Sequence, residues 1–548
     1  MKSGDIANPE IRLELDAGLF GLSPDNDNNA DSLSAALKFC AENKINRLNV
    51  KPGVYHFEIT ESFVFKDITD FELYAEGARF VFYSPVPNTG QITFFYMENR
   101  EIAPASLFVS LNSVNPETFT PGTEGGLEYN VDGNCRESFK NRERIGEKLY
   151  RCTYKNGSGG KTVFSEGGFY LVRHYMYNGG VFLIYDSKNI TFENFCIYGA
   201  PGSGFDVRGR SSYFYFNGVR VTLAEYDVRH ITTTADAVFL AGTDGHMLFE
   251  NCDIGFQGDD GINIHNGVYR GLKRIPGEDS AFVLNARFRK GDKLVFVNTD
   301  LTPTGFSAVI ADKKPSGNAY KFLLDKKIPD EIGSEHIIYN TSFDSAHFVI
   351  RNCKFHENRA RGILVQADCG VIENCEFYNI QGAAIQIETG VSSGWCEGRG
   401  VRDVVIRNNK MTGCDVNDWG KGVIYMSTYA LDGVPIVNSD YPNCTSTVED
   451  ACGVVFRTPY PVFKNITIQD NVIEEYPRRA MILTSFDGLI LKNNVFKNDK
   501  PRICNNPDRG SVYIAYGKNA KDENNVFKPS PYMLMPMIDN RCAVDNHK

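Results

Sequence analysis

The central and C-terminal parts of the chain are a succession of short Val-, Ile- and Phe-rich segments closed by Asn or Gly, with no helical spacing inside them. Three of these segments align without a gap. They are N-C-D-I-G-F-Q-G-D-D-G-I-N-I-H from Asn251, I-R-N-C-K-F-H-E-N-R-A-R-G-I-L-V-Q from Ile350 and I-E-N-C-E-F-Y-N-I-Q-G-A-A-I-Q-I-E from Ile372. Asn251, Asn352 and Asn374 correspond, each followed by a cysteine (Cys252, Cys353, Cys375), and the last two copies lie 22 residues apart. Related frames stand at 190–194, 406–408, 468–470 and 491–493. A period in the twenties built from strands and Asn/Gly turns predicts an all-β parallel β-helix rather than a helical solenoid. Equivalent positions of successive rungs then stack about 4.8 Å apart, so a separation in sequence becomes a contact in space.

The same pattern divides the chain. Residues 1–84 read as an N-terminal cap and first rungs: Asn29-Ala30-Asp31-Ser32 starts an amphipathic helix ending near Asn43, and a first strand follows, turned at Pro52-Gly53. A helix there covers the solenoid's open end. The frame is lost over 85–165, resumes over 166–266, is lost again over 267–343 and returns over 344–500. The two gaps predict small inserted β subdomains, barrel-like in the second case, where short alternating strands occur at 293–298 and 320–324. Residues 501–548 show no clear frame and read as a C-terminal extension packed along the outside.

Composition agrees with a turn-rich β protein: 548 residues include 50 Gly, 38 Phe and 27 Tyr. A net charge of −10 without a basic run excludes nucleic acid as a natural partner. Fourteen cysteines include no tight Cys/His cluster, so no metal site is expected, and the aligned cysteines read as small core residues in a ladder. No run of 18 apolar residues predicts a membrane span, and the first residues show no signal region. That leaves a cytoplasmic protein or one whose export signal has been trimmed; homo-oligomerisation stays open.

The chemistry concentrates at Asp259 and Asp260, adjacent acids between glycines in an apolar run. Asp236, in T-T-A-D-A-V-F-L, precedes Asp259 by 23 residues, one rung, so three carboxylates converge. Like charges that close hold at least one proton towards neutral pH, as a general acid requires. Fourteen residues after the aligned asparagines stand His265, Gln366 and Glu388, a polar column suited to sugar hydroxyls. Arg361 falls beside Asp260 on the next rung, while Trp395 and Glu397 lie in a Gly-rich loop, the former suited to stack on a sugar ring.

One Asp followed a rung later by Asp-Asp resembles the polygalacturonase-type right-handed β-helix hydrolases. Within that group Q-G-D-D-G-I-N-I-H, R-A-R-G-I-L-V-Q and G-A-A-I-Q-I-E followed by G-W-C-E-G are similar to glycoside hydrolase family 110, bacterial exo-acting α-1,3-galactosidases that remove terminal galactose from blood-group B and linear B-type glycans. The resemblance covers roughly 167–497. It implies a right-handed helix, no cofactor, a secreted or periplasmic setting, Asp259 as proton donor and Asp236 with Asp260 activating water. Inversion by such a pair asks for carboxyls about 6.5–9.5 Å apart. The N-T-D, G-H-G and R-I-K phrases of polygalacturonases are missing, which argues against a galacturonate substrate. Rival readings are another inverting β-helix glycosidase, endo-acting or specific for a different sugar, and a non-catalytic carbohydrate-binding β-helix.

Overall fold

The computed structural model describes residues 13–58, 61–83, 180–200, 202–223, 231–298, 301–391, 396–416, 421–429, 448–450, 453–455, 460–499, 511–530 and 537–540, and the strand backbone of Ile92–Tyr96, Asn112–Ser113, Asn141–Gly146, Leu149–Thr153 and Phe169–Arg173. The subdomain expected over 85–165 therefore lies almost wholly outside the described residues.

The rungs wind as a right-handed parallel β-helix with three faces. One face stacks Ser203–Arg208, Val238–Ala241, Ile262–His265, Ile363–Val365, Ile385–Val391 and Ile424–Tyr429, each paired in parallel with the next. A second stacks Ser212–Asn217, Gly245–Glu250, Phe348–Arg351, Gly370–Glu373 and Val401–Arg407. The third stacks Asp253–Gly255, Lys354–His356, Glu376–Ile380 and Lys410–Cys414. Inward positions alternate with outward ones along each strand, as the two-residue period requires. Phenylalanines fill the early interior in stacks such as Phe192–Phe216 and Phe216–Phe249, with centroids 5.3 and 4.6 Å apart. Later rungs use isoleucine, for example Ile363, Ile385 and Ile424. The helix Ala30–Asn43 buries Leu33, Ala36 and Leu37 over the first rungs.

The asparagine that closes each rung explains the repeat. Asn251, Asn352, Asn374, Asn408 and Asn493 all have φ between 53° and 56°, the left-handed region that asparagine tolerates better than most side chains. The next residue points inward at the corner. In the middle rungs it is a cysteine, and Cys252, Cys353 and Cys375 are buried free thiols. In later rungs it is asparagine: Asn409 donates to Asn471, and Asn471 to Asn494, each at 3.0 Å. Cysteine gives way to amide where the Cys375 N–H donates to Asn409 Oδ1 at 2.9 Å.

Between Ile262–His265 and Phe348–Arg351 the chain leaves the solenoid and forms a seven-stranded antiparallel sheet from Val268–Tyr269 to Ile337–Asn340 around Phe282, Phe296 and Phe322. Its edge strands, Val268–Tyr269 and Lys273–Ile275, do not pair with each other, so it is an open, bent sheet, not a closed barrel. Two reciprocal ion pairs fasten it to the rungs: Arg210 to the buried Asp292 at 2.5 Å, and Arg289 to Asp186 at 2.7 Å.

The extension expected beyond residue 500 is corrected by the strand pairing. Val512–Glu523 pairs in parallel with Met481–Lys492, and Met537–Asn540 with Val512–Glu523, so the solenoid continues. Its outermost strand segment, K-N-A-K-D-E, has few apolar residues, which hid the frame, although Asn524-Asn525 repeats the corner of Asn493-Asn494.

The corner ladder gives a direct expectation. Asn471 accepts from the N–H and amide of Asn409 and donates to the Ile406 carbonyl, all at 3.0 Å and inside the protein. Asn471→Ala leaves those groups unpaired and should lower unfolding stability by at least about 2 kcal/mol in urea titrations. An unchanged unfolding midpoint would show that the ladder contributes nothing net.

Candidate active site

The acids sit at the corner that precedes the first face. The chain leaves Asp253–Gly255 and turns at Phe256, whose φ of 65° makes it the left-handed residue of the bend. Gly261 is required by packing: a Cβ there would lie 2.5 Å from the Gly362 carbonyl, so only glycine lets adjacent rungs approach. The Ala237 N–H donates to the Asp260 carbonyl at 3.0 Å, and the Asp260 N–H returns to Asp236 Oδ1 at 3.0 Å. Asp236 is thereby locked against the doublet from the rung before.

One oxygen from each of Asp236, Asp259 and Asp260 lies within 4.8 Å of the others. This is closer than the about 6.5–9.5 Å expected of an inverting pair. The physical reason is the stacking itself, which holds adjacent rungs at the strand spacing and leaves no slack between corners. All three are buried: 4% of Asp236, 7% of Asp259 and 1% of Asp260 is exposed. Burial, then the charges of Asp259 and Asp260, push the Asp236 carboxyl well above the usual range. Burial pushes Asp260 up to about 7, with Arg361 pulling down and Asp259 pushing up.

The next rung supplies the countercharge. Arg361 Nε lies 3.0 Å from Asp260 Oδ1, and the Arg361 N–H donates to the same oxygen at 2.9 Å. Arg359, buried, places Nη2 3.6 Å from Asp259 Oδ1 and donates from Nε to the Gly258 carbonyl at 2.5 Å. Three carboxylate oxygens this close are also a donor set for a divalent cation, but two guanidinium groups already supply positive charge there.

The polar column forms in register. Ile264, Val365 and Ile387 are successive partners, and one residue further stand His265, Gln366 and Glu388 on the outer side. Burial lowers the His265 pKa, so its ring is neutral, and Nδ1 meets Asn263 Oδ1 at 3.1 Å. Glu397 reaches this column, with Oε1 3.9 Å from His265 Nε2. Trp395 lies outside the described residues. The loop behind Glu397 crosses the column closely: a Cβ on Gly398 would fall 2.9 Å from the Glu388 carbonyl and 3.2 Å from Gln366 Cβ.

Four residues of this neighbourhood escape a reading by motif. Arg359 precedes Arg361 by two positions and aligns, one rung on, with Gly258, the residue before the doublet. Asn358 donates to the Arg361 carbonyl at 2.6 Å and fixes that turn. Gln386 shares the outer side with Glu388 by simple alternation and donates to Glu388 Oε2 at 2.8 Å. Lys421 lies 3.7 Å from Glu388 Oε1 and belongs to a segment with no aligned frame, so the sequence carried no signal for it.

Comparison with known proteins agrees with this architecture. The family model described as "Right handed beta helix region" matches residues 336–535. A protein of Bacteroides fragilis named alpha-1,3-galactosidase A is 26% identical over 361 residues, 64% of this chain and 55% of that protein. An alpha-1,3-galactosidase A of Shewanella woodyi is 24% identical, covering 61% of this chain and 51% of its own length. An alpha-1,3-galactosidase B of Bacteroides thetaiotaomicron is 25% identical, covering 70% and 59%. The chain thus spans a little over half the length of the curated relatives it matches. Among solved structures, the Yersinia enterocolitica family 28 exopolygalacturonase superposes at a TM-score of 0.41 with 11% identity, covering 96% of this chain and 79% of that one. The chain is therefore a right-handed parallel β-helix whose curated sequence relatives are proteins named alpha-1,3-galactosidases.

Proposed function

We propose that the protein is an exo-acting glycosidase that removes terminal α-1,3-linked galactose from glycans of the blood-group B or linear B type, by inversion. The observation that carries this reading is the set of three buried aspartates whose oxygens lie within 4.8 Å of one another, faced by two guanidinium groups, in a chain whose relatives are named alpha-1,3-galactosidases. A binding module has little use for carboxylates crowded until they hold protons; a hydrolase needs a proton for the leaving oxygen and an anion to activate water.

We assign the roles as follows. Asp259, the most exposed of the three, donates its proton to the glycosidic oxygen as the bond to the anomeric carbon breaks. Asp236 and Asp260 take the proton of the water whose oxygen bonds to that carbon. Between turnovers the proton taken from water passes back to Asp259, which has an oxygen within 4.8 Å of both other acids. The closely laid loop at Gly398 supports exo action, because a chain of sugars cannot run past a strap in contact with Gln366 and Glu388.

The short spacing of the acids is nearer the about 5 Å of retaining enzymes than an inverting pair, which makes the product's anomer the deciding measurement. Proton NMR during hydrolysis of an α-1,3-galactoside should show β-galactose first; α-galactose first would remove inversion, and no hydrolysis of any α-galactoside would remove the proposed activity. Asp259→Asn should lower kcat by about 10³-fold with melting unchanged. Substantial retained turnover would move the donor role elsewhere.

The raised acids fix the sign of two pH effects. Turnover should rise as pH climbs towards about 7, where Asp260 loses its proton and becomes able to take one from water. A carboxyl whose folded pKa exceeds its unfolded 3.8 favours the native state fully below that value and progressively less as pH rises. Asp236→Asn should therefore melt a few degrees above wild type at pH 8, with the difference closing near pH 4. A difference independent of pH would show that Asp236 is not held protonated by its surroundings.

A further inference from the structure

Gln386 and Gln366 are 4% and 1% exposed, and the amide oxygen of each lies inside the protein without a hydrogen-bond donor among the described residues. Both lie on the outer side of the face that begins at the acids, since their strand neighbours Ile385, Ile387 and Val365 are in the core. In Gln386 the orientation is fixed. Its Nε2 donates to Glu388 Oε2 at 2.8 Å, which turns Oε1 the other way. Glu388 is held in turn by Lys421, 3.7 Å from Oε1, and Lys421 is held over the Tyr425 ring at 4.5 Å. Arg361 feels the charge of both Asp260 and Glu388, so this group and the acids share one guanidinium.

Acceptors buried without donors are costly, and a fold keeps them where a ligand brings the donor. We propose that Gln386, together with Gln366 and Glu388, contacts substrate hydroxyls and restricts the site to neutral hexosides. Two amide oxygens and a carboxylate are all acceptors. Hydroxyl groups satisfy them, whereas the carboxylate of a uronic acid has no proton to give and meets the charge of Glu388. This rests on the glycosidase reading for turnover, but not for recognition.

The test pairs kinetics with binding, using Gln386→Leu, which keeps bulk and removes the acceptor, and Gln386→Asn, which withdraws it, as a backup if the leucine variant melts early. On p-nitrophenyl α-galactoside, kcat/KM should drop about 10²-fold or more. On one of the 2-, 3-, 4- and 6-deoxy analogues, wild type and variant should become equal within about threefold, because the lost contact is already missing. A loss of equal size on every analogue would mean that Gln386 acts on structure only and would overturn the proposal, as would no loss. In parallel, methyl α-hexosides and methyl α-galacturonide are titrated into wild type and variant by calorimetry. Wild type should bind a neutral hexoside, the variant should bind it at least tenfold more weakly, and neither should bind the uronide. Binding of this kind without turnover would defeat the proposed activity and leave the recognition role standing; equal affinities, or tight binding of the uronide, would defeat the recognition role.

Discussion

Everything in this molecule depends on backbone hydrogen bonding between parallel strands one rung apart. That pairing fixes the separation of equivalent side chains at the strand spacing, and it admits no adjustment once the corners are set. Phenylalanines therefore stack ring on ring, as Phe216 does on Phe249 with planes 5° apart. The corner amides donate to one another along the axis for the same reason. Identical physics acts on the acids. Asp236 meets Asp259 and Asp260 because the ladder leaves them nowhere else to go.

Holding like charges together needs compensation, and the next rung provides it. Arg361 is paired through both side chain and backbone to one oxygen of Asp260, and Arg359 faces Asp259 while tying down the Gly258 carbonyl. Asp236 has the amide of Asp260 but, among the described residues, no guanidinium at ion-pair distance, and burial acts on it first. The result is a graded set, with the most buried acid, Asp260, the most fully compensated and the most exposed one, Asp259, flanked by an arginine.

Much of this was legible in the sequence because the repeat has a steric cause. An Asn that must adopt left-handed φ recurs at the same corner, and counting from it carries Asp236 to the doublet, Arg361 to Asp260, and His265 to Gln366 and Glu388. The resemblance in the phrase around Asp259 added chemistry to that count. What escaped was set by tertiary packing. The last rungs lack the apolar alternation, with Lys518, Asn519 and 521–523 exposed, and only Asn524-Asn525 marks them. The open form of the inserted sheet is a matter of edge pairing, which strand composition does not specify. The close spacing of the acids follows from exact stacking of corners, which a rung count gives only as a neighbourhood.

The cysteine corner has its own consequence. Cys252 and Cys353 are buried, and burial first, then the neighbouring thiol, keeps Cys252 protonated far beyond its ordinary range. Sulfur in that condition is a poor nucleophile, so alkylating reagents can reach these rungs only when the wall of the solenoid parts. The middle of the protein thus carries its own chemical clock for breathing, ticking at the rate at which the rungs beside the acids come apart.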